Sequence, residues 1–141
     1  MKTKTLLLIL ILLLAISVAA CGGKQATSAP SASIDLATLP VDITVQQVDA
    51  IRTMPEVLLI DVREQWEYDE GHLPGITLMP MNSIPNRLDK ISKDKFVVIT
   101  CHTGNRSSQV TKFLRDNGFD NVHNMLGGIA AWEKAKLPVE K

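Results

Sequence analysis

The chain is short of several things at once. It has only two cysteines among 141 residues, Cys21 and Cys101. Two cysteines cannot make a disulfide framework or a cysteine-rich metal site. Charge of either sign is not in excess, with 15 basic and 15 acidic side chains. No basic face follows from composition, so nucleic-acid binding has no support there. Aromatic residues make up 4%, so a core must be built from aliphatic side chains. There is no internal repeat. The three histidines, His72, His102 and His123, are scattered without ligand spacing; a metal site is not expected, and nothing implies another cofactor.

What is present is unevenly placed. Lys2 and Lys4 precede an unbroken apolar run from Leu6 to Ile16, and small residues then lead to Cys21. A basic start, a short apolar stretch and small residues before a cut compose a secretory signal peptide. The run is shorter than the roughly 18–20 apolar residues that a spanning helix needs. Val18-Ala19-Ala20-Cys21 resembles the bacterial lipobox. That resemblance implies cleavage after residue 20 and lipid on Cys21, which then becomes the first mature residue. An uncleaved anchor is the alternative. Both readings put the rest of the chain outside the cytoplasm, in a bacterial cell envelope and tethered to a membrane, with inner or outer left open. Without residues 1–20 the balance is thirteen basic against fifteen acidic side chains.

Residues 21–40 are rich in Gly, Ala, Ser, Thr and Pro and have neither helical nor strand period. They read as a flexible linker, in which Ile34 and Leu36 are short apolar touches able to dock on a domain edge. The folded unit is expected over 41–141, enough for one core. A monomer is the default for a domain of this size.

Strand and helix signals alternate through this unit. Thr44 is a good N-cap before Val45, Val48 and Ile51 at helical spacing. Val57 to Ile60 and Phe96 to Ile99 are continuous apolar runs of strand length, as buried parallel strands are. Ile76 to Met79 is a weaker strand signal, and Val122 to Met125 another. Helices are expected from Asn82 or Ser83 through Ile91, from Ser107 to Asn117 with Val110, Phe113 and Leu114 on one face, and from Ile129 to Lys136. Gly118 is placed to end the second of these. The pattern predicts an α/β domain with a mainly parallel central sheet flanked by helices. Ligands of such sheets bind beyond the carboxyl ends of the strands. Asp61-Val62-Arg63 and Cys101 fall at those ends.

The segment Cys101-His102-Thr103-Gly104-Asn105-Arg106 joins a strand to a helix. A short loop there can curl its N–H groups inward. With the helix dipole, those donors make an anion nest. Gly104 permits the backbone angles of such a curl, and Arg106 adds positive charge. A thiol at the focus of that field ionises more readily and acts as a nucleophile. The same field would stabilise a persulfide.

These residues resemble the rhodanese domains, which are single-domain sulfurtransferases. Cys101 to Arg106 matches their Cys-x-x-Gly-x-Arg loop. Leu59 to Glu64 resembles their Asp-x-Arg segment. Trp66 to Gly75 resembles their Glu-x-Gly-His-Ile-Pro-Gly turn, and Leu126 to Trp132 their Gly-Gly-x-x-x-Trp. The four stretches occur in order over most of residues 43–138. The resemblance implies that Cys101 takes sulfane sulfur from thiosulfate or a persulfide donor and passes it to a thiol, a small molecule or a protein, or to cyanide. The loop from His102 to Arg106 would hold the anionic persulfide, with the Arg106 side chain in a partly structural role. Related phosphatases and arsenate reductases have one residue more in this loop and His before the cysteine, where this chain has Thr100. The smaller ring fits sulfur better than a tetrahedral oxyanion. A persulfide carrier or thiol-binding module without turnover is the alternative to an enzyme.

The supporting residues allow two readings each. Asp61 either orients the loop or caps a turn. Arg63 either binds an anionic donor or pairs with Glu64, Glu67 or Glu70, the more ordinary use. His72 in its Gly-His-Leu-Pro-Gly setting is expected to brace a turn by bonding to backbone rather than to act as a general acid. His102 is expected to point outward and His123 to sit on a strand surface. Trp66 and Trp132 are expected in core or rim packing, and Gly127 and Gly128 at a close backbone approach.

Overall fold

A computed structural model describes residues 34–141. The expected signal peptide, Cys21 and most of the linker lie outside the described residues. Among the described residues no helix is long and apolar enough to cross a membrane.

The elements follow the alternation of the sequence. They are β1 (Asp42–Ile43), α1 (Val45–Ile51), β2 (Val57–Asp61), α2 (Gln65–Glu70), β3 (Thr77–Leu78), β4 (Phe96–Thr100), α3 (Asn105–Asp116), β5 (Val122–Met125) and α4 (Gly128–Lys134). The sheet is parallel throughout, in the order β1-β5-β4-β2-β3. The two apolar strands β2 and β4 are central and pair from Val57 with Phe96 to Asp61 with Thr100. Strand periodicity sends alternate side chains to opposite faces. Val97, Ile99 and Cys101 join Ile60, Val62, Val110 and Leu114 on one side. Val98 and Leu59 join Val48, Ile51, Ile129 and Trp132 on the other. Ile34, Leu36 and Leu39 pack against this second face, and Leu36–Thr38 forms a 3-10 turn. The far end of the expected linker is thus attached to the domain.

Several expectations need correction. The helix predicted from Asn82 or Ser83 to Ile91 is two 3-10 turns, Met81–Asn86 and Leu88–Lys90. Pro85 lies inside the first and has no N–H to donate, so an α-helical ladder cannot run through it. Helix α3 starts two residues before Ser107. Its buried stripe is Ser107, Val110, Thr111 and Leu114, while Phe113 is 37% exposed. Strand β1 escaped notice because it is two residues long. His123 is not on the surface. It is buried in β5, donates Nδ1–H to the Pro40 carbonyl at 2.7 Å and stacks on Phe96 at 3.9 Å between ring centroids. Of the two tryptophans expected in core or rim packing, Trp132 is fully buried in the core and Trp66, 64% exposed, stands at the rim of a cleft.

Candidate active site

Cys101 follows the last residue of β4 and is 1% exposed. The turn after it is tight because Gly104 takes φ +95° and caps α3 directly. L-residues rarely adopt that angle. Asn105 and Arg106 consequently belong to the first turn of α3 rather than to the loop. The helix N-terminus is brought against the sulfur. The Gly104 N–H donates to Cys101 Sγ at 3.1 Å, and Ser107 Oγ lies 3.4 Å from it. Burial pushes the thiol pKa up. The Ser107 hydroxyl and the N–H groups of Ser107, Gly104 and Thr103 pull the other way and prevail, leaving it below the ordinary thiol value. The site therefore favours a negative sulfur although it is buried.

The outer side of the turn is held by α4. Ile129 and Ala130 donate their N–H groups to the carbonyls of Cys101 and His102 at 2.9 and 3.0 Å. The free N–H groups of one helix start thus satisfy the carbonyls of the turn. Gly128 makes this approach possible, since a Cβ there would strike the Cys101 and His102 backbone, and its φ is +58°. The expected close approach at the glycine pair is real, and Gly128 is where it occurs.

Arg106 does not offer a free charge. Its guanidinium donates to both carboxylate oxygens of Glu67 at 2.7 and 2.6 Å. The pair pins the first turn of α3 to α2. Arg106 holds the Glu67 carboxyl down at about 2 against the opposing effect of burial. Arg63 does not pair with Glu64, Glu67 or Glu70. Its Nε and NH2 groups grip Asp61 at 2.7–3.1 Å, and NH2 also donates to the Gly71 carbonyl at 2.8 Å. Asp61 accepts the Arg63 N–H as well. Asp61 caps its own turn and neutralises Arg63, and both are buried. The local reason is reach: two residues beyond a strand end, a bent chain returns the guanidinium to the carboxylate.

His72 braces a turn, as expected. It donates Nδ1–H to the Tyr68 carbonyl at 3.0 Å and stacks on the Tyr68 ring at 3.7 Å. His102, Thr103 and Asn105 are exposed around the mouth. Beside the loop, Arg63, Trp66, Glu67, Glu70 and His102 line a cleft of about 180 Å³. A larger recess of about 490 Å³, lined in part by Leu36, Val41, Phe96 and His123, has no cysteine in its lining. Sequence reasoning missed Ser107 as a partner of sulfur and Glu67 as the partner of Arg106. Ser107 stands one position after the recognisable motif. Glu67 is one of several carboxylates in its helix, and nothing local marks it out.

Residues 44–135 match the rhodanese-like domain. The chain belongs to that family. Several of its relatives are sulfurtransferases by name. One, from Allochromatium vinosum, is a sulfurtransferase 42% identical to this chain over 60% of its length and 78% of the relative's. Another, from Tolumonas auensis, is a thiosulfate sulfurtransferase, 29% identical over 64% of this chain and 85% of the relative. The crystal structure of a rhodanese-like domain protein from Staphylococcus aureus matches with a TM-score of 0.63 and 31% identity, covering 72% of this chain and all of the other. The family relationship supports sulfur transfer as the general chemistry and small sulfur compounds and thiols as the reaction partners.

Proposed function

We propose that this protein is a membrane-anchored, extracytoplasmic sulfurtransferase that carries sulfane sulfur on Cys101. The observation that carries this reading is the buried Cys101 sulfur, approached by the Gly104 N–H at the start of α3 and held below the ordinary thiol pKa. The Cys101 thiolate attacks the outer sulfur of thiosulfate, the sulfur–sulfur bond breaks, and its electron pair leaves with sulfite. Cys101 then holds a persulfide, whose terminal negative sulfur lies in the same field of N–H donors. An acceptor thiolate attacks that outer sulfur, the new sulfur–sulfur bond breaks, and the Cys101 thiolate is restored. A persulfide donor enters by the same step, leaving a thiolate instead of sulfite. Thiosulfate is supported by the Tolumonas relative's name. The cell-envelope location rests on the signal-like start and Val18-Ala19-Ala20-Cys21.

Intact mass spectrometry tests the chemistry. Thiosulfate should add about 32 Da, one sulfur atom, to the reduced domain. Cyanide should remove it, and Cys101→Ser should never gain it. A reduced, titratable thiol that gains nothing from thiosulfate or from an alkyl persulfide overturns the reading. Gain without turnover would identify a carrier. For the anchor, metabolic labelling with a lipid precursor should mark the full chain and not its Cys21→Ser variant.

A further inference from the structure

Cys101 stands at one end of a line of side chains that leads to the sheet edge. Ser107 Oγ lies 3.4 Å from Cys101 Sγ and 2.7 Å from Asn124 Oδ1. Asn124 Nδ2 donates to the Asp42 carboxylate of β1 at 2.8 Å. Cys101, Ser107 and Asn124 are all buried, and Asp42 is exposed.

Donor and acceptor inventory orders this line. A carboxylate only accepts, so Asp42 turns the NH2 end of Asn124 toward itself and leaves Oδ1 facing Ser107. That oxygen also only accepts. The Ser107 hydroxyl has one proton and three acceptors within reach: Asn124 Oδ1, the Gly104 carbonyl at 3.1 Å and Cys101 Sγ. The shortest contact is to Asn124. With the proton there, Ser107 offers sulfur only lone pairs, and Cys101 is the donor as S–H. For Ser107 to support a thiolate or persulfide, its proton must swing to sulfur. Asn124 Oδ1 then loses its partner in a place water does not reach, which is unfavourable.

We propose that Asp42, acting through Asn124, positions the Ser107 hydroxyl and thereby sets the balance between thiol and thiolate at Cys101. Asp42 and Asn124 are positioning residues outside the Cys101–Arg106 segment, and they act on sulfur through Ser107. On ionisation the sulfur proton leaves to solvent, and the Ser107 proton only changes acceptor. Around this line, Arg106 of α3 is paired with Glu67 of α2, Asp61 at the end of β2 is paired with Arg63, and His102 is the next residue of the Cys101 loop. The α4 side meets that loop with backbone. Lys112, Arg115 and Asp116 of α3 share a cleft of about 310 Å³ with Asp42.

The proposal rests on Cys101 being the reactive thiol, yet its test needs no sulfur transfer. Residues 34–141 lie within one compact unit, and the Staphylococcus aureus protein of matching extent stands alone as a chain. In that domain Cys101 is the single cysteine, so ultraviolet thiolate absorbance and the rate of alkylation by iodoacetamide report it alone across pH. Asp42→Asn lets Asn124 turn its amide and donate to Ser107, which then donates to sulfur. The thiolate midpoint should fall by about one pH unit, and alkylation below the midpoint should rise about tenfold. Asp42→Ala should move it the same way. Ser107→Ala removes the donor and should raise the midpoint, and Asp42→Asn added to it should have no further effect. Asp116→Asn, in the same cleft but off the line, should leave the midpoint in place. An unmoved midpoint in both Asp42 variants overturns the proposal. So does an equal shift in Asp116→Asn, or a shift that survives Ser107→Ala. Midpoints that move as stated in a protein that takes no sulfur would leave this inference standing and sink the proposed function.

Discussion

Arg106 reaches back 39 positions to bind both oxygens of Glu67, at 2.7 and 2.6 Å, and so ties the helix behind Cys101 to the helix beside it. Two parallel N–H donors matched to a carboxylate need a planar guanidinium. A lysine keeps the charge and loses the fork. Arg106→Lys is therefore expected to lower stability by about 1–2 kcal/mol and to slow sulfur loading of Cys101. Urea unfolding and loading kinetics check the two effects. A variant unchanged in both would remove this pair from any role in holding the turn.

The same pair makes stability depend on acid. Glu67 is held down from 4.5 to about 2 by Arg106. The unfolded chain binds the proton more readily, so the pair's contribution is complete above about 4.5 and lost as pH falls toward about 2. Arg106 is 34% exposed and screened by solvent. The loss should accordingly be on the order of 1–2 kcal/mol rather than the full shift. Glu67→Gln is less stable at neutral pH and should lack this part of the acid dependence. Parallel acid titration curves for the two proteins would refute the assignment.

His123 adds a second pH dependence, at milder pH. Burial first, then Arg115, pushes its pKa below 6.5, against the Pro40 carbonyl, which raises it. The folded state resists a proton that the unfolded chain accepts. Stability from this group is present above 6.5 and falls as pH drops through the lowered value. His123→Gln can keep a donor for Pro40 and cannot titrate. Its melting temperature should change less than that of the parent between about pH 7 and about pH 5.

Gly128 and Gly75 separate crowding from backbone strain. Both have positive φ, but a Cβ on Gly75 meets nothing within 4 Å, whereas one on Gly128 strikes the Cys101 and His102 backbone. Gly75→Ala should cost about 1 kcal/mol from strain alone. Gly128→Ala should cost more and should also shift the turn, slowing alkylation of Cys101. Equal losses of stability, with equal alkylation rates, would show that the α4 contact does not hold the turn.

Local sequence carried much of this protein. Apolar runs marked β2 and β4 because a strand buried on both faces has no polar period. Thr44 marked the start of α1, and Gly104 after Cys101 marked a strand turning at once into a helix. Those are near-neighbour effects, written in consecutive residues. Pro85 stood in plain view inside an apolar helical pattern, and its missing N–H outweighed that pattern. The partners of the charged groups were not legible. Arg63 had three nearby glutamates and chose Asp61, because a buried guanidinium takes the carboxylate that the bent strand end presents. Arg106 found Glu67, and Asn124 joined Ser107 to Asp42, across 39, 17 and 82 positions. Hydrogen bonds between side chains so far apart exist only after the sheet order β1-β5-β4-β2-β3 is made. The sequence by itself thus determined which atom is the nucleophile candidate and which element presents it. The tertiary structure alone decided which charges are neutralised around it and which way its hydrogen-bond partners point, because distance through space, not along the chain, sets those energies.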